Sequence, residues 1–174
     1  YNSHDGKALF HILETLPRDE LFQIEEEPLF QTSIGILHLN LRPQCRAFIR
    51  KDKFERFVSA LVFVPKDLYN SILRTKIEKI LCDAFNGELS SRYAQLSNDR
   101  IARWHFIIRT KPGQVPNPDT ESINKRISKV AQSWTDYFLE VLEDRHGEEK
   151  ATQLYRKYSK SFTSAYQENF DPRF

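Results

Sequence analysis

The chain opens with apolar residues at helical spacing. Leu9, Phe10, Ile12, Leu13 and Leu16 recur every three to four positions, and Asp5 stands where a helix N-cap belongs. Pro17 is placed to begin a further short helical turn, 17–24, because its fixed φ suits a first helical position. Glu25, Glu26 and Glu27 read as the acidic first turn of a longer helix, with Leu29, Phe30, Ile34, Leu37 and Leu41 on one side. Arg42-Pro43 ends it, since a residue before proline avoids the helical region. The period then falls to two. Residues 45–51 and 56–64 read as strands joined by the polar turn Lys51-Asp52-Lys53. In the second strand Val58, Ala60, Val62 and Val64 take one face, and Ser59, Leu61 and Phe63 the other. Being apolar on both faces, it belongs in the middle of a sheet, and Pro65 closes it. Asp67 is placed to cap the next helix, in which Tyr69, Ile72, Leu73, Ile77, Ile80, Leu81, Ala84 and Phe85 repeat at helical spacing before the stop at Gly87. Two more strands follow. Residues 91–95 are weakly patterned. Residues 101–110 set Trp104, Phe106 and Ile108 against Arg103, His105, Ile107 and Arg109.

Lys111 to Pro118 holds three Pro and one Gly in eight residues, which excludes regular structure. Beyond it the pattern is helical. Asp119 caps a helix carrying Ile123, Ile127, Val130, Trp134, Phe138 and Val141; Gly147 breaks it, and 148–162 continues with Ala151, Leu154, Tyr155 and Tyr158. Helices, two strands, a helix, two strands and further helices predict an α+β fold. We expect a four-stranded antiparallel sheet with helices, a rearranged ferredoxin-like sandwich of the general shape of ACT-type regulatory domains, plus a helical C-terminal extension. The expected organisation is a helical lead-in over 1–41, an α+β core over 42–111, a linker over 112–118 and a helical extension over 119–174 that packs with the core as one unit.

Hydrophobic residues make up 40% of the 174, enough for a core, and no run approaches the ~18 apolar residues of a membrane span. Lys and Arg number 26 against 24 Asp and Glu, so a net charge of +2 gives no general attraction to nucleic acid or anionic lipid. Cys45 and Cys82 form neither a CxxC nor a disulfide framework, and read as reduced buried thiols. The start, Tyr1-Asn2-Ser3-His4-Asp5, lacks the layout of a signal peptide, so a cytoplasmic location is expected. With no Met, the chain reads as a piece of a longer polypeptide.

No strand–GxGxxG–helix run, phosphate loop or catalytic Ser or Cys motif is present, so neither catalytic nor cofactor-binding residues are assigned. His4, His11, His38, His105 and His146 are scattered, and no metal site is expected. One pattern carries chemistry. Arg46 and Arg50 alternate on the first strand beside Lys51, and Arg103, His105 and Arg109 share one side of the last. If those strands adjoin, the cations gather on one sheet face. That face is either an anion site for a carboxylate, phosphate or acidic partner, or a face ion-paired by Glu residues from outside the chain. Phe48 between Arg46 and Arg50 also admits an RNA-binding sheet, but the strand 56–63 lacks the glycine of that motif. The later aromatics, Trp134 to Phe170, read as core or as surface patches for a partner.

Long stretches resemble one family. GKALFHILETLPRDELFQ (6–23), RFVSALVFVPKDLYN (56–70) and ARWHFIIRTKPG (102–113) are similar to ordered blocks of the large bacterial NAD-dependent glutamate dehydrogenases, with Trp104 where Val is usual. Ser133–Asp136, His146–Glu149 and Ala165–Phe170 resemble later blocks, so the likeness spans nearly the whole chain. It implies a very long homo-oligomeric parent that converts L-glutamate to 2-oxoglutarate and ammonia with NAD. This segment would lie among ACT-like domains upstream of the catalytic region, a non-catalytic regulatory or assembly piece or a purely structural scaffold. The NAD cofactor and the catalytic residues would lie outside it. Its partners would be the rest of the parent chain, the other subunits and an amino-acid or other small anionic effector bound through Arg46, Arg50, Arg103, His105 and Arg109.

Overall fold

The computed structural model describes residues 4–96, 100–170 and 172, and the cap expected from Asp5 lies outside the described side chains. Two compact units emerge, Tyr1–Val130 and Ala131–Phe174.

The first unit is built on a sheet of β1 (Arg46–Lys51), β2 (Phe57–Pro65), β3 (Glu88–Leu96) and β4 (Ile101–Arg109), in the order β1-β2-β4-β3 with every neighbouring pair antiparallel. The doubly apolar β2 is central, as its sequence requires, and buries seven consecutive residues. Helix α4 (Ser71–Phe85) carries the chain from β2 to β3 across the intervening β4, a split β-α-β unit. With α5 (Thr120–Ala131) the order ββαββα is that of a βαββαβ sandwich whose last strand has moved to the front. This is the expected α+β, ferredoxin-like sheet.

Pleating sorts the side chains. On one face Leu61 and Phe63 of β2 and Ile101 of β4 form a cluster with Ile12 and Leu16 of α1 (His4–Thr15) and Ile36 and Leu39 of α3 (Glu26–Leu41). On the other face Val58, Ala60, Val62, Val64, Trp104, Phe106 and Ile108 are nearly solvent-free, and the buried Leu73, Ile77 and Leu81 of α4 and Ile123 and Ile127 of α5 supply its cover. Gly35 of α3 lies so close to β1 that a Cβ there would meet the Phe48 ring at 2.5 Å. At Gly87, after α4, a Cβ would stand 2.6 Å from the Arg109 carbonyl oxygen, so only glycine lets the chain enter β3 at that point.

Several local expectations shift. Asp67 lies in a 3-10 turn, Lys66–Leu68, and Asn70 caps α4 by accepting from the Leu73 amide at 2.8 Å. The left-handed residue after α4 is Asn86, φ +47°, one position before Gly87. β3 begins at Glu88 rather than 91; it is an edge strand with a bulge between Leu89 and Ser91, and its exposure weakens the alternation. The buried side of α3 holds Ser33, Ile36 and Leu39, while Phe30 and Leu41 of the expected inner stripe are 51% and 79% exposed. Periodicity finds a stripe but not the face that meets the sheet.

In the second unit the helix expected to continue from Asp119 restarts instead. Ser133 accepts from the Asp136 amide at 3.1 Å and caps α6 (Trp134–His146), a capping box present in the sequence. α7 (Glu148–Tyr158) ends before a 3-10 turn, Ser159–Ser161, and Thr163 caps a final short α8 (Ser164–Asn169). Trp134 is the hub: its ring stacks on Phe138 at 5.2 Å and tilts on Phe162 at 4.8 Å, and its indole N–H donates to the Phe170 carbonyl at 2.7 Å. Trp134, Phe138 and Phe162 therefore pack on one another half-buried, while Tyr158 and Phe170 remain 41% and 53% exposed.

β1, an edge strand, is covered rather than open. The Ala47 N–H donates to Asn124 Oδ1 at 2.7 Å, and Asn124 Nδ2 donates back to the Ala47 carbonyl at 3.2 Å. A buried side-chain amide on α5 thus takes the place of a fifth strand. Replacing Asn124 with Ala strands a buried donor and acceptor. Urea unfolding should show a loss of about 2 kcal/mol, whereas Lys125→Ala, on the exposed side of α5, should leave the midpoint unchanged.

Candidate functional site

The five cations share one sheet face, but β1 and β4 do not adjoin; β2 lies between them and contributes Ser59 and Leu61. The face sorts into ends and a centre. At one end Arg46 reaches Glu121 of α5 at 2.7 Å, and at the other Arg109 reaches Glu88 of β3 at 3.2 Å. Both pairs are exposed and individually weak. Lys51 donates to the Pro116 carbonyl and to Asn117 Oδ1, tying the 111–118 loop along β1.

The centre holds Arg50, Arg103 and His105. They line a cavity of about 530 Å³ between the sheet and α2 (Arg18–Gln23), whose Asp19, Glu20 and Gln23 form the opposite wall. The apolar sides are Phe57, Ile107 and the ring of Tyr93. Such a volume suits a small molecule.

α2 is held by Leu21, partly buried against the cluster on the sheet, and by the Glu20 carboxylate. Glu20, 4% exposed, accepts from Arg50 Nε at 2.9 Å and from Arg50 Nη2 at 2.8 Å, a bidentate fork. Burial alone would raise the Glu20 carboxyl; hydrogen bonds from Arg50 and Ser59 and the Arg50 charge outweigh it and hold it below its ordinary range. His105 Nε2 lies 2.8 Å from Ser59 Oγ and 3.7 Å from Glu20. Burial pushes the imidazole pKa down; the Glu20 charge opposes this, and Arg103 and Arg50 reinforce it. Ser59 has one hydroxyl proton, and Glu20 takes it, so the consistent chain runs from His105 Nε2–H to Ser59 Oγ–H to Glu20, with His105 neutral.

Arg103 is the unusual member. Its guanidinium donates to the Thr15 carbonyl at 3.0 Å and to Gln95 Oε1, and among the described residues no carboxylate stands within ion-pair distance. Burial draws its pKa down to about 10, which leaves it charged at neutral pH. Among the described residues this cation on the cavity wall is held by neutral oxygens alone, and its guanidinium has donors to spare.

Sequence reasoning found the cations but missed Glu20, Ser59, Tyr93 and Gln95. Glu20 joins Arg50 across thirty residues, and local periodicity carries no trace of such a pair. Ser59 left a signal: it is the one polar residue in the run Phe57–Val64, where a buried hydroxyl needs a partner. Among the described residues no group of three or more His, Cys, Asp or Glu is placed to hold a metal ion, and no helix is long and apolar enough to cross a membrane.

The first unit is thus a split β-α-β sheet of the ferredoxin-like class with a cavity of small-molecule size beneath α2. Comparison with known proteins makes it specific. The family model described as the glutamate dehydrogenase ACT2 domain matches residues 46–135, helical motif 1 of the same enzyme matches 1–42, and helical motif 2 matches 141–174. The chain belongs to this glutamate dehydrogenase family. It is 37% identical over 170 residues to the NAD-specific glutamate dehydrogenase of Halomonas elongata, covering 98% of this chain and 10% of the relative. Against the Pseudomonas aeruginosa enzyme of the same name identity is 33%, covering 99% of this chain and 11% of the relative. Against that of Mycobacterium tuberculosis it is 26%, over 98% and 11%. The chain thus spans about a tenth of the length of the curated relatives it matches.

The buried network makes stability depend on pH with a definite sign. Below the ordinary imidazole value of 6.5 the unfolded chain takes up a proton at His105 that the folded chain refuses, so stability falls as pH drops. Glu20 adds a second loss below its ordinary 4.5, where the unfolded carboxyl protonates first. The urea midpoint should therefore fall between about pH 7.5 and about pH 5.5, and His105→Gln should flatten that interval while leaving the fall below pH 4.5 in place.

Proposed function

We propose that this chain is a non-catalytic regulatory and assembly segment of an NAD-specific glutamate dehydrogenase, and that the cavity beneath α2 is its effector site. The parent enzyme oxidises L-glutamate to 2-oxoglutarate and ammonia with NAD in the cytoplasm. The cofactor and the reacting groups belong to the rest of the polypeptide. One observation carries the effector reading: Arg103, a charged guanidinium in the wall of an open cavity, is met by the Thr15 carbonyl and the Gln95 amide and by no carboxylate among the described residues.

Ionised groups on the lining balance. Arg50 is committed to Glu20, which leaves Arg103 facing the exposed carboxylate of Asp19 across the space. A zwitterion fits that pair, its carboxylate on Arg103 and its ammonium towards Asp19, with the side chain against Phe57 and Ile107. An α-amino acid is such a molecule. A polyphosphate is not, because Asp19 and Glu20 would oppose its charge. Binding regulates the parent only through different affinities for two states of it.

The second reading is a structural scaffold. It is favoured by the ion pairs that Arg46, Arg50 and Arg109 make with Glu121, Glu20 and Glu88, which leave Arg103, among the described residues, as the member of the face with no carboxylate within ion-pair distance. Thermal unfolding of the full-length enzyme against a panel of α-amino acids separates the two. A saturable rise with one amino acid, lost in Arg103→Leu and retained in Arg46→Leu, is the expected result; ten dissociation constants of ligand stabilise by about 1.4 kcal/mol. A flat response to the whole panel would leave the scaffold.

A further inference from the structure

Helix α3 is apolar on two sides. Its inner side, Ile36 and Leu39, lies in the cluster on the sheet, with Leu29 and Leu37 partly buried against it. A second stripe, Phe30, Ile34, Leu37 and Leu41, follows the spacing four, three, four, which keeps it on one flank of the helix at the repeat of a helix-pairing seam. Phe30 is 51% exposed and Leu41 79%. A helix apolar on more than one side belongs in an interior, and this chain half-buries Ile34 and Leu37 but leaves Phe30 and Leu41, at the two ends of the stripe, exposed.

Beside the stripe a groove of about 390 Å³ runs between α1 and α3, walled by Leu9, Leu13, Leu29 and Phe30 and edged by Glu26 and Glu27. The edge is acidic, at the N-terminal end of α3; the other end of the helix carries His38 and is followed by Arg42. The stripe reads the same in both directions, and the charges are opposite at its two ends. These are the two conditions for an antiparallel pairing of the helix with itself.

We infer that α3 is an interface between two copies of this chain, packed antiparallel about a twofold axis. Residue i then faces residue 71 − i: Ile34 meets Leu37 of the partner subunit, and Phe30 meets the partner's Leu41. In the same register the partner's Leu41 enters the groove between α1 and α3, and the partner's Arg42 lies against Glu26 and Glu27. Antiparallel helices also set each acidic first turn beside the carbonyl-rich end of the other, so the flanking cation is what makes the match favourable. The contact is isologous, with the same patch used twice, and so closes as a dimer rather than a fibre. This rests on the assembly half of the proposed function and not on the effector cavity.

The test uses the full-length enzyme with Phe30→Cys and Leu41→Cys together. Mild oxidation should give a disulfide-linked dimer on non-reducing gels, with the 30–41 linkage identified by mass spectrometry. Either single variant should give none. In the double-cysteine background, Glu26→Arg with Glu27→Arg should slow linkage roughly threefold, and adding Arg42→Glu should restore it. Sedimentation of the unmodified enzyme provides the separate arm. If the enzyme is oligomeric and no 30–41 linkage forms, or if 30–30 linkage forms instead, the antiparallel α3 contact is overturned and the assembly role stands. If the full-length enzyme sediments as a monomer, both fall.

Discussion

The fork between Glu20 and Arg50 sets the geometry on which the rest of the helical face depends. α2 is six residues long, too short to hold its place by its own hydrogen bonds, and Phe22 points outward, 87% exposed. What keeps it on the sheet is Leu21, packed against the cluster of α1, α3 and the sheet, together with a buried carboxylate that reaches β1. A buried ion pair is not in general a source of net stability, since desolvating two charges offsets most of their attraction, but removing one partner leaves the other unpaired at high cost. The pair therefore acts as a positional lock. It puts α2 at one distance from the sheet, opens the cavity behind it, and aligns Ser59 and His105 into a single chain of donors.

The sheet below tolerates this polar insertion because its other face is dry. Val58, Val62, Phe106 and Ile108 are fully covered there, so cohesion comes from one side and the opposite side is released to carry charge. The edges differ in the same way. β1 is flanked by Asn124, Glu121, the Pro116 carbonyl and the Asn117 side chain, whereas β3 presents Tyr93 and Leu96 to solvent.

Much of this architecture is written in local pattern. The change of period at Pro43, the doubly apolar β2 and the alternation in β4 determine the sheet, and Arg50, Arg103 and His105 follow from the alternation itself. Less legible is anything that depends on which side of an element meets its neighbour. α3 shows the difficulty: with two apolar stripes, spacing alone cannot say that Ile36 and Leu39 go inward while Phe30 and Leu41 face out. Asp67 is the expected cap, but the backbone after Pro65 takes a 3-10 turn first and Asn70 caps α4 instead. Glu20 stayed hidden because long-range pairing leaves no periodic mark. The resemblance of residues 6–23 to a known block covered Glu20 without revealing what it touches.

The cavity and the outer stripe of α3 belong to one helical layer, and that is the physical basis for coupling them. Arg103 ends α1 as well as facing the cavity: it donates to the Thr15 carbonyl, one of the last-turn acceptors that α1 cannot satisfy internally. Pro17 follows directly, then α2, then Glu25 at the start of α3. A guanidinium has five N–H groups, so a carboxylate can be accepted without breaking the bond to Thr15, but the two acceptors must then share one planar fork. Binding thus constrains the angle at which α1 ends, and through the α2 lock it constrains where α3 begins. Packed layers shift between discrete arrangements rather than deform smoothly, so a small change at Arg103 reaches the α3 surface as a change of register or not at all. If the cavity is the effector site proposed above, this is the path by which its occupancy would reach α3 while β2 and β4 stay fixed.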